Sequence, residues 1–270
     1  MKELTLREIQ LGEYAVLKEL AAICDKLNLR YMLAFGTLIG AIRHKGFIPW
    51  DDDVDVLMPR PDYNKLIDYL AHHKNDIKPL ELMHYSVKKD YIYPIARLSD
   101  SRYTLDFETE KDYGVGLFVD IYPYDCCGNT STEAKKICEI NQRYIALISL
   151  CGQKKFKASS KGMLRTIAKF GCYVLANVIG VNRLIEMVDK KAQNHKFGTE
   201  KLCCCTIWED AKSAFSCEEF DNCIQWQFED SEFNIPRNYD TLLRLCYGDY
   251  MQLPPEEERT AHHYYKAYVK

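Results

Sequence analysis

Hydrophobic residues recur on one helical face near the start of the chain. Positions 9, 16, 20, 23 and 27 are apolar and follow at spacings of seven, four, three and four, which is the periodicity of an amphipathic helix. Thr5 and Glu8 form a capping-box pattern, in which a hydroxyl and a carboxylate bond to exposed amides at a helix start. The pattern predicts a helix that begins near Thr5 and ends near Asn28.

Short apolar runs and helical segments then alternate as far as residue 125. The apolar run 31–35 is stopped by Gly36, so it predicts a buried strand. Helices are predicted at 37–43 and 63–72. Strands are predicted at 53–58, 81–86, 91–98, 103–107 and 117–122.

The second half of the chain has a mainly helical pattern. A second capping box, from Thr130 to Glu133, starts a helix that extends to about residue 150. A basic linker at 153–161 is followed by predicted helices near 163–179, 181–195 and 238–247, a strand at 202–207 and a polar tail at 248–270. Early strands and later helices predict an α+β fold, with a core at residues 1–125 and a mostly helical lobe at 126–270.

Composition and charge exclude several classes of protein. Hydrophobic residues make up 47% of the 270 residues, so the chain is not predominantly disordered. The formal net charge of −3 provides no basic field for nucleic acid. The first eight residues contain no apolar signal segment. We therefore expect a chain in the cytoplasm or at the inner face of the membrane, with its thiols reduced.

Two segments admit more than one interpretation. The twelve cysteines include adjacent residues at 126–127 and 203–205, but no pair has the two-residue spacing of a zinc knuckle, so free thiols are predicted. The apolar stretch 163–181 contains Arg165 and Lys169 and falls short of the roughly 18 uncharged residues of a membrane span. It is interpreted as a core helix of the second lobe, with peripheral contact to a membrane surface as the alternative.

The acidic residues 51–55 are the most informative part of the sequence. On a strand, Asp53 and Asp55 would point to the same face with Cα atoms roughly 7 Å apart, while Val54 and Val56 pack on the other face. Carboxylates this close repel each other unless a cation lies between them, and hard oxygen ligands favour Mg²⁺ or Mn²⁺. A solvated acidic turn and a calcium loop are the alternatives, although Val56 stands where a calcium loop needs glycine.

Other polar residues are placed to complete such a site. Asp120 lies within an otherwise apolar strand, and a buried unpaired carboxylate is costly, so it is predicted to share the metal; a salt bridge to Arg or Lys is the alternative. Gly36 and Thr37 open a short helix, whose free amides and dipole attract phosphate. The far end of that helix supplies three candidate cationic donors, which are Arg43, His44 and Lys45.

Three stretches of the chain resemble motifs of one family. Residues 35–56, FGTLIGAIRHKGFIPWDDDVDV, closely resemble the signature of the LicD family of phosphocholine transferases, which is similar to the fukutin proteins and belongs to the nucleotidyltransferase superfamily. Residues 116–123 resemble the family's second motif. Residues 247–255, with His262 and His263, resemble its C-terminal motif, which implies that the tail contributes to the site.

The resemblance implies a nucleotidyltransferase-like mixed sheet flanked by helices. It also implies Mg²⁺-dependent transfer of phosphocholine, or a similar phospho-alcohol, from CDP-choline or another CDP-alcohol to a hydroxyl of a glycan, a lipid-linked glycan or a teichoic acid precursor, with release of CMP. Catalysis and metal binding fall to Asp53, Asp55 and Asp120, with Asp120 as a bridge to the metal or as the base. The donor diphosphate would lie against Gly36, Thr37 and the three cationic residues of the short helix.

The head group and the reaction class remain open at this stage. A quaternary ammonium binds best to aromatic faces, and the candidates nearest the acids are Trp50 and Tyr122, with Tyr113 and Tyr124 beside them. A glycosyltransferase could instead use Asp53 and Asp55 as the metal motif for a nucleotide-sugar, and another nucleotidyltransferase could use a nucleoside triphosphate. A non-catalytic glycan-binding protein is the further alternative.

Overall fold

A mixed sheet of seven strands forms the centre of the part of the chain that the computed structural model describes. The described residues are 2–89, 91–107, 113–151, 156–158, 160, 162–208, 211–260 and 265–270. The first-half strands are β1 (Met32–Leu33), β2 (Asp55–Pro59), β3 (Leu80–Met83), β4 (Ala96–Asp100), β5 (Tyr103–Phe107) and β6 (Leu117–Cys126). The main path of the sheet runs β1-β2-β6-β4-β3. Two short strands, β7 (Leu202–Cys204) and β8 (Phe215–Ser216), extend the sheet: β7 pairs with the last two residues of β6, and β8 pairs with β7.

The pairing of β2 with β6 sets the geometry of the acidic residues. These two strands run parallel, and Asp55 is the register partner of Asp120. The other pairs of the sheet are antiparallel, and β4 places Arg97 opposite Asp120. Three charged residues from three neighbouring strands therefore lie in one row across the sheet.

Helices cover both faces of the sheet, as the α+β prediction requires. Along β2 and β6, Val56 and Ile121 belong to the apolar core beneath α1 (Leu6–Leu27) and α3 (Arg60–His72). Leu57 and Tyr122, one residue further along each strand, belong to a second core beneath α4 (Ser131–Cys151) and α6 (Val181–Ala192). This alternation is the period-two pattern of strands that are buried on both faces.

The predicted start and end of the first helix are confirmed. The Thr5 hydroxyl accepts a hydrogen bond from the Glu8 amide while the Glu8 carboxylate accepts one from the Thr5 amide, which is a complete capping box. Asn28 ends the helix in the left-handed conformation with φ of 52°, a conformation that asparagine tolerates better than most residues.

A buried ion network joins α6 to the core. Arg60 at the start of α3 donates hydrogen bonds to Asp125 at 2.7 and 2.6 Å and to Asp189 of α6 at 2.9 Å. All three side chains are nearly inaccessible to solvent. Removing one partner of such a buried network lowers the free energy of unfolding by about 3–5 kcal/mol. Ion pairs as well as apolar contacts therefore hold α6 against α3 and β6.

The region predicted as a mostly helical lobe also contains strands. Its remaining helices are α5 (Met163–Ile179) and α7 (Tyr239–Tyr247), and its further strands are β9 (Cys223–Phe228), β10 (Ser231–Pro236) and β11 (Tyr265–Val269). The antiparallel β9-β10 hairpin packs its Trp226 indole on α2 (Phe35–His44), donating to the Ala41 carbonyl at 3.2 Å. The tail ends in β11, which pairs with β5 of the first half.

Helix α5 is not a core helix, so that interpretation of the sequence is wrong. Of its seventeen residues only Ala176 is buried. Within the residues that the structure describes, no single helix is long and apolar enough to cross a membrane. Helices α5 and α6, bent by 90° at Gly180, pass that test of length and composition only as a pair.

Candidate active site

A cleft of about 680 Å³ opens between the start of α2, the acidic residues 51–55 and the tail segment 247–258. Its volume lies within the range of small-molecule sites, about 300–1,000 Å³. Five of the predicted site residues line it, which are Gly36, Arg43, Trp50, Asp53 and Asp55. The tail contributes the opposite wall through Tyr247, Asp249, Tyr250, Gln252, Leu253, Pro254, Pro255 and Glu258.

Asp53 and Asp55 both line the cleft, but they do not lie on one strand as predicted. Strand β2 begins at Asp55, so Asp53 lies in the loop before it rather than two residues along the same strand. The Thr37 hydroxyl accepts a hydrogen bond from the Asp55 amide at 2.9 Å and is buried. Thr37 therefore fixes the start of β2 against α2, and its own side chain is not one of the groups that line the described cleft.

The carboxyl group of Asp55 is crowded by other acids. Burial raises its pKa well above the usual value, and the charges of Asp53, Asp120 and Asp51 raise it further. A hydrogen bond with the Tyr122 side chain acts in the opposite direction. Such a group gains most from a bound cation, because the cation removes the repulsion that opposes ionisation.

Asp120 forms the salt bridge that was the alternative interpretation of its sequence. The Arg97 guanidinium donates to its two carboxylate oxygens at 2.6 and 3.4 Å, and both side chains are buried. The guanidinium lies 4.1 Å from the ring centroids of both Tyr93 and Phe118. Asp120 is thus held rigidly beside Asp55 and already has a cationic partner.

Glu13 of α1 is a further buried acid, and it interacts electrostatically with Asp52 and Asp53. It was not identified in the sequence analysis. Its side chain is fully buried, and its Oε2 atom has no hydrogen-bond partner among the residues that the structure describes. The Tyr265 hydroxyl donates to its Oε1 atom at 3.4 Å. Burial raises the pKa of Glu13 well above its usual value, and the charges of Asp53 and Asp52 raise it further. The available signal was an acid four residues after Ile9, on the apolar face of α1.

Gly36 allows the acidic loop to approach the first turn of α2. A Cβ atom at this position would lie 2.6 Å from the Oδ2 atom of Asp51, much closer than a van der Waals contact. The preceding residue, Phe35, has a positive φ of 45°, which is strained for a bulky side chain. The helix N-terminus predicted to bind phosphate therefore lies immediately beside carboxylates as well.

The three candidate cationic donors have different positions. Arg43 lines the cleft and donates from Nη1 to the Tyr250 carbonyl at 2.6 Å, so it also fastens the tail to α2. His44 accepts a hydrogen bond from the Arg43 Nε atom at 2.9 Å and packs edge-on to Trp50. Lys45 ends α2 in the left-handed conformation and is exposed outside the cleft. Arg43 is the one that reaches the cleft.

The aromatic candidates also separate into two groups. Trp50, Tyr247 and Tyr250 line the cleft, and the Arg259 guanidinium lies 5.4 Å from the Trp50 ring centroid. The Tyr122 ring instead packs against Phe35 and Trp208 in the core, although its hydroxyl reaches Asp55.

Among the described residues, the other aromatic candidates do not line this cleft. Tyr113 packs with Tyr91 and Tyr93, and Tyr124 packs with Phe215. His262 and His263 lie outside the described residues.

The donor set suits magnesium in its chemistry, though it is incomplete as a protein-only site. In the part of the chain that the structure describes, no group of three Asp, Glu, His or Cys side chains is placed to hold a metal ion. Magnesium, however, is commonly bound by one or two carboxylates together with water and substrate phosphates. Asp53 and Asp55, both on the cleft, fit that kind of site.

The cysteines are all free thiols, as predicted. Seven of them, at positions 126, 127, 138, 203, 204, 205 and 217, belong to the apolar core beneath α4 and α6. Burial raises the pKa of the Cys203 thiol, which is typical of a structural thiol with little reactivity.

Comparison with known proteins yields one family and several relatives. Residues 28–145 match the family described as LicD/FKTN/FKRP, nucleotidyltransferase domain. The chain is 31% identical over 269 residues to the lipopolysaccharide cholinephosphotransferase LicD of Haemophilus influenzae, a match that covers 100% of both chains. It is 32% identical over 118 residues to an uncharacterized protein of Rickettsia typhi, covering 43% of this chain and 35% of that protein. The Haemophilus match spans both walls of the cleft.

Proposed function

The chain belongs to the LicD family and is a phosphotransferase, and we propose that it transfers phosphocholine from CDP-choline to a hydroxyl group of a cell-surface glycan, with release of CMP. The observation that carries this proposal is the composition of the cleft. One wall brings carboxylates and a helix N-terminus together, and the other brings aromatic rings and acids. A donor that contains a diphosphate and a cationic head group matches both walls.

The diphosphate is proposed to lie across the start of α2. Gly36 and Arg43, at opposite ends of that helix, both face the cleft. Backbone amides at a helix N-terminus and a guanidinium are both effective donors to phosphate oxygens. Because Arg43 also bonds to the Tyr250 carbonyl, donor binding and the position of the tail are linked through one side chain.

Asp53 and Asp55 are proposed to hold Mg²⁺, with Mn²⁺ as a substitute, together with the phosphate oxygens. When bound, the metal neutralises charge on the phosphoryl group during an in-line displacement. Thr37 positions Asp55 through its backbone amide. Asp120, fixed by Arg97 in the row beside Asp55, is proposed as the third carboxylate that orients the reacting groups.

The head group is proposed to bind where Trp50, Tyr247 and Tyr250 meet Asp249 and Glu258. Aromatic faces attract quaternary ammonium ions by about 0.5–2 kcal/mol per ring, and nearby carboxylates add long-range attraction. The Arg259 guanidinium already occupies a position over Trp50. A bound choline group would displace the Arg259 guanidinium, so that one cation would replace another over the Trp50 ring.

The acceptor is proposed to be a glycan or a lipid-linked glycan precursor, used on the cytoplasmic side of the membrane. The support is the Haemophilus relative, whose name assigns it to lipopolysaccharide. Teichoic acid precursors present similar hydroxyl groups and belong in the same acceptor panel.

Thermal unfolding with different donors tests the proposal without requiring the acceptor. We expect CDP-choline with Mg²⁺ to raise the melting temperature of the wild-type chain, and CDP-choline with EDTA to raise it much less. The Asp53→Asn variant is the matched control and should lose the Mg²⁺-dependent part. Stabilisation by a UDP-sugar but by no CDP-alcohol would favour a glycosyltransferase instead.

A further inference from the structure

Helix α5 exposes an unusual amount of apolar surface. Leu164 and Val178, near its two ends, are 82% and 77% exposed. Between them Ile167, Phe170 and Leu175 are also more than half exposed. Soluble chains rarely leave a large contiguous apolar patch uncovered, and such patches mark sites of contact with other molecules.

The exposed side chains form one continuous stripe. At 100° per residue, positions 163, 164, 167, 170, 174, 175 and 178 fall within an arc of about 140°. The helix is about 25 Å long, and the stripe runs along all of it. On the opposite side, Ala176 is buried and Lys169 donates to the Lys157 carbonyl at 2.7 Å.

The sequence on either side of the stripe, from residue 140 to residue 185, carries charge of a single sign. From Glu139 to Glu186 the sequence contains no acidic residue between these two, while eight Lys and Arg residues occur there. Arg165 and Lys157 are exposed. The chain as a whole has a net charge of −3, so this segment is locally basic within an acidic protein.

Aromatic side chains lie at the edge of the stripe. Phe156 packs edge-on against Phe170, with ring centroids 5.3 Å apart, and contacts Tyr173 at 5.5 Å. Aromatic rings with a polar edge are favoured at the interface between lipid and water. An apolar stripe, aromatic rings beside it and basic residues on the polar side are the components of a helix that binds the surface of an anionic bilayer.

We propose that α5 is a membrane-docking helix that lies in the surface of an anionic bilayer, with its apolar stripe among the acyl chains and with the basic residues of the segment attracted by the lipid phosphates. Burial of the apolar stripe provides the hydrophobic part of the binding free energy, and the local positive charge favours an anionic surface. This function goes beyond the proposed reaction and does not depend on which donor the chain uses. It would bring the cleft to any acceptor that is anchored in the same membrane.

Flotation with vesicles tests the proposal directly. The full chain is mixed with vesicles of phosphatidylglycerol and phosphatidylcholine in equal parts, and separately with vesicles of phosphatidylcholine alone. We expect binding mainly to the anionic vesicles, weakened by added salt. The Leu164→Ser/Ile167→Ser double variant should lower the partition coefficient by at least about tenfold. The Lys157→Gln/Arg165→Gln variant should lower it several-fold and reduce the salt dependence.

A control variant tests whether vesicle binding depends on α5 or on exposed apolar residues in general. Leu11 is 48% exposed on α1, so Leu11→Ser should bind vesicles as the wild type does. Equal binding of the wild type and the Leu164→Ser/Ile167→Ser variant would overturn the proposal. So would a wild-type chain that binds neither vesicle and forms a dimer that the same substitutions dissociate, because a second copy of the chain would then cover the stripe.

Discussion

Asp120 on β6 lies directly opposite Asp55 on the parallel strand β2, and the Arg97 guanidinium from β4 closes the row. This arrangement places two acids and one cation side by side in a buried part of the sheet. The sequence pattern predicted that Asp120 would share a metal, with a salt bridge as the alternative. The structure contains the salt bridge, so the role in the reaction that is proposed for Asp120 has to be tested separately from its role in stability.

The first prediction separates these two roles. Asp120→Asn leaves Arg97 buried without its partner, so it should lower the free energy of unfolding by about 3–5 kcal/mol, rather than leaving stability unchanged. Arg97→Gln should cost a similar amount from the other side. Turnover of both variants is measured at a temperature where urea titration shows that both are folded. If Asp120 acts in the reaction, its variant loses at least about tenfold more activity than Arg97→Gln. Equal losses would limit Asp120 to a structural role.

The second prediction concerns Asp55. Its pKa is raised in the folded protein by burial and by Asp53, so its ionisation opposes folding once the pH exceeds the pKa of the unfolded chain. Asp55→Asn removes that opposition and should unfold at an equal or higher temperature than the wild type at pH 7, while turnover falls at least about a hundredfold. Added Mg²⁺ with donor should stabilise the wild type but not the variant. If the variant without Mg²⁺ unfolds at a lower temperature than the wild type, ionised Asp55 does not destabilise the folded protein and this explanation is wrong.

The third prediction concerns selectivity for the donor head group. Trp50→Leu removes one aromatic face of the cleft and should reduce the preference for CDP-choline over CDP-ethanolamine by between about twofold and thirtyfold. Tyr122→Phe is the matched control, because the Tyr122 ring packs in the core and only its hydroxyl reaches Asp55. It should change turnover without changing selectivity. Competition between the two donors in one reaction, followed by mass spectrometry of the product, measures both effects.

The fourth prediction concerns stability at low pH. Burial lowers the pKa of His84 from 6.5 to about 4, so the unfolded chain binds a proton over this interval and the folded chain does not. Stability that is complete above pH 6.5 is therefore lost as the pH falls towards 4, by about 3 kcal/mol in total. His84→Gln should remove most of that loss in urea titrations at pH 7 and pH 4.5. His72→Gln, an exposed residue of α3, should not.

Local signals predicted both ends of the first helix. The capping box at Thr5 and the left-handed Asn28 are both confirmed, because helix ends depend on residues within one turn. The strand predicted at 91–98 begins only at Ala96. Pro94 interrupts that run, since proline has no amide to donate to a strand partner.

Long-range pairing was harder to predict. Residues 248–270 were interpreted as a polar tail. Within them, Tyr265–Val269 pairs with β5 from the first half, and nothing near the tail in sequence indicates that partner. The β9-β10 hairpin did have a local signal, the alternation of Ile224, Trp226 and Phe228, which the sequence analysis did not use. For α5, hydrophobicity gave the helix but could not indicate what covers it.

The most direct test of the central claim is CMP release from CDP-choline with Mg²⁺ and a panel of lipopolysaccharide and teichoic acid acceptors, comparing the wild type with Asp53→Asn. The proposed reaction predicts CMP release by the wild type, with phosphocholine found on an acceptor by mass spectrometry. Asp53→Asn should release CMP at least about a hundredfold more slowly, a difference of roughly 2.7 kcal/mol in activation free energy. An acceptor modified from a UDP-sugar, with no CMP released from any CDP-alcohol, would contradict it.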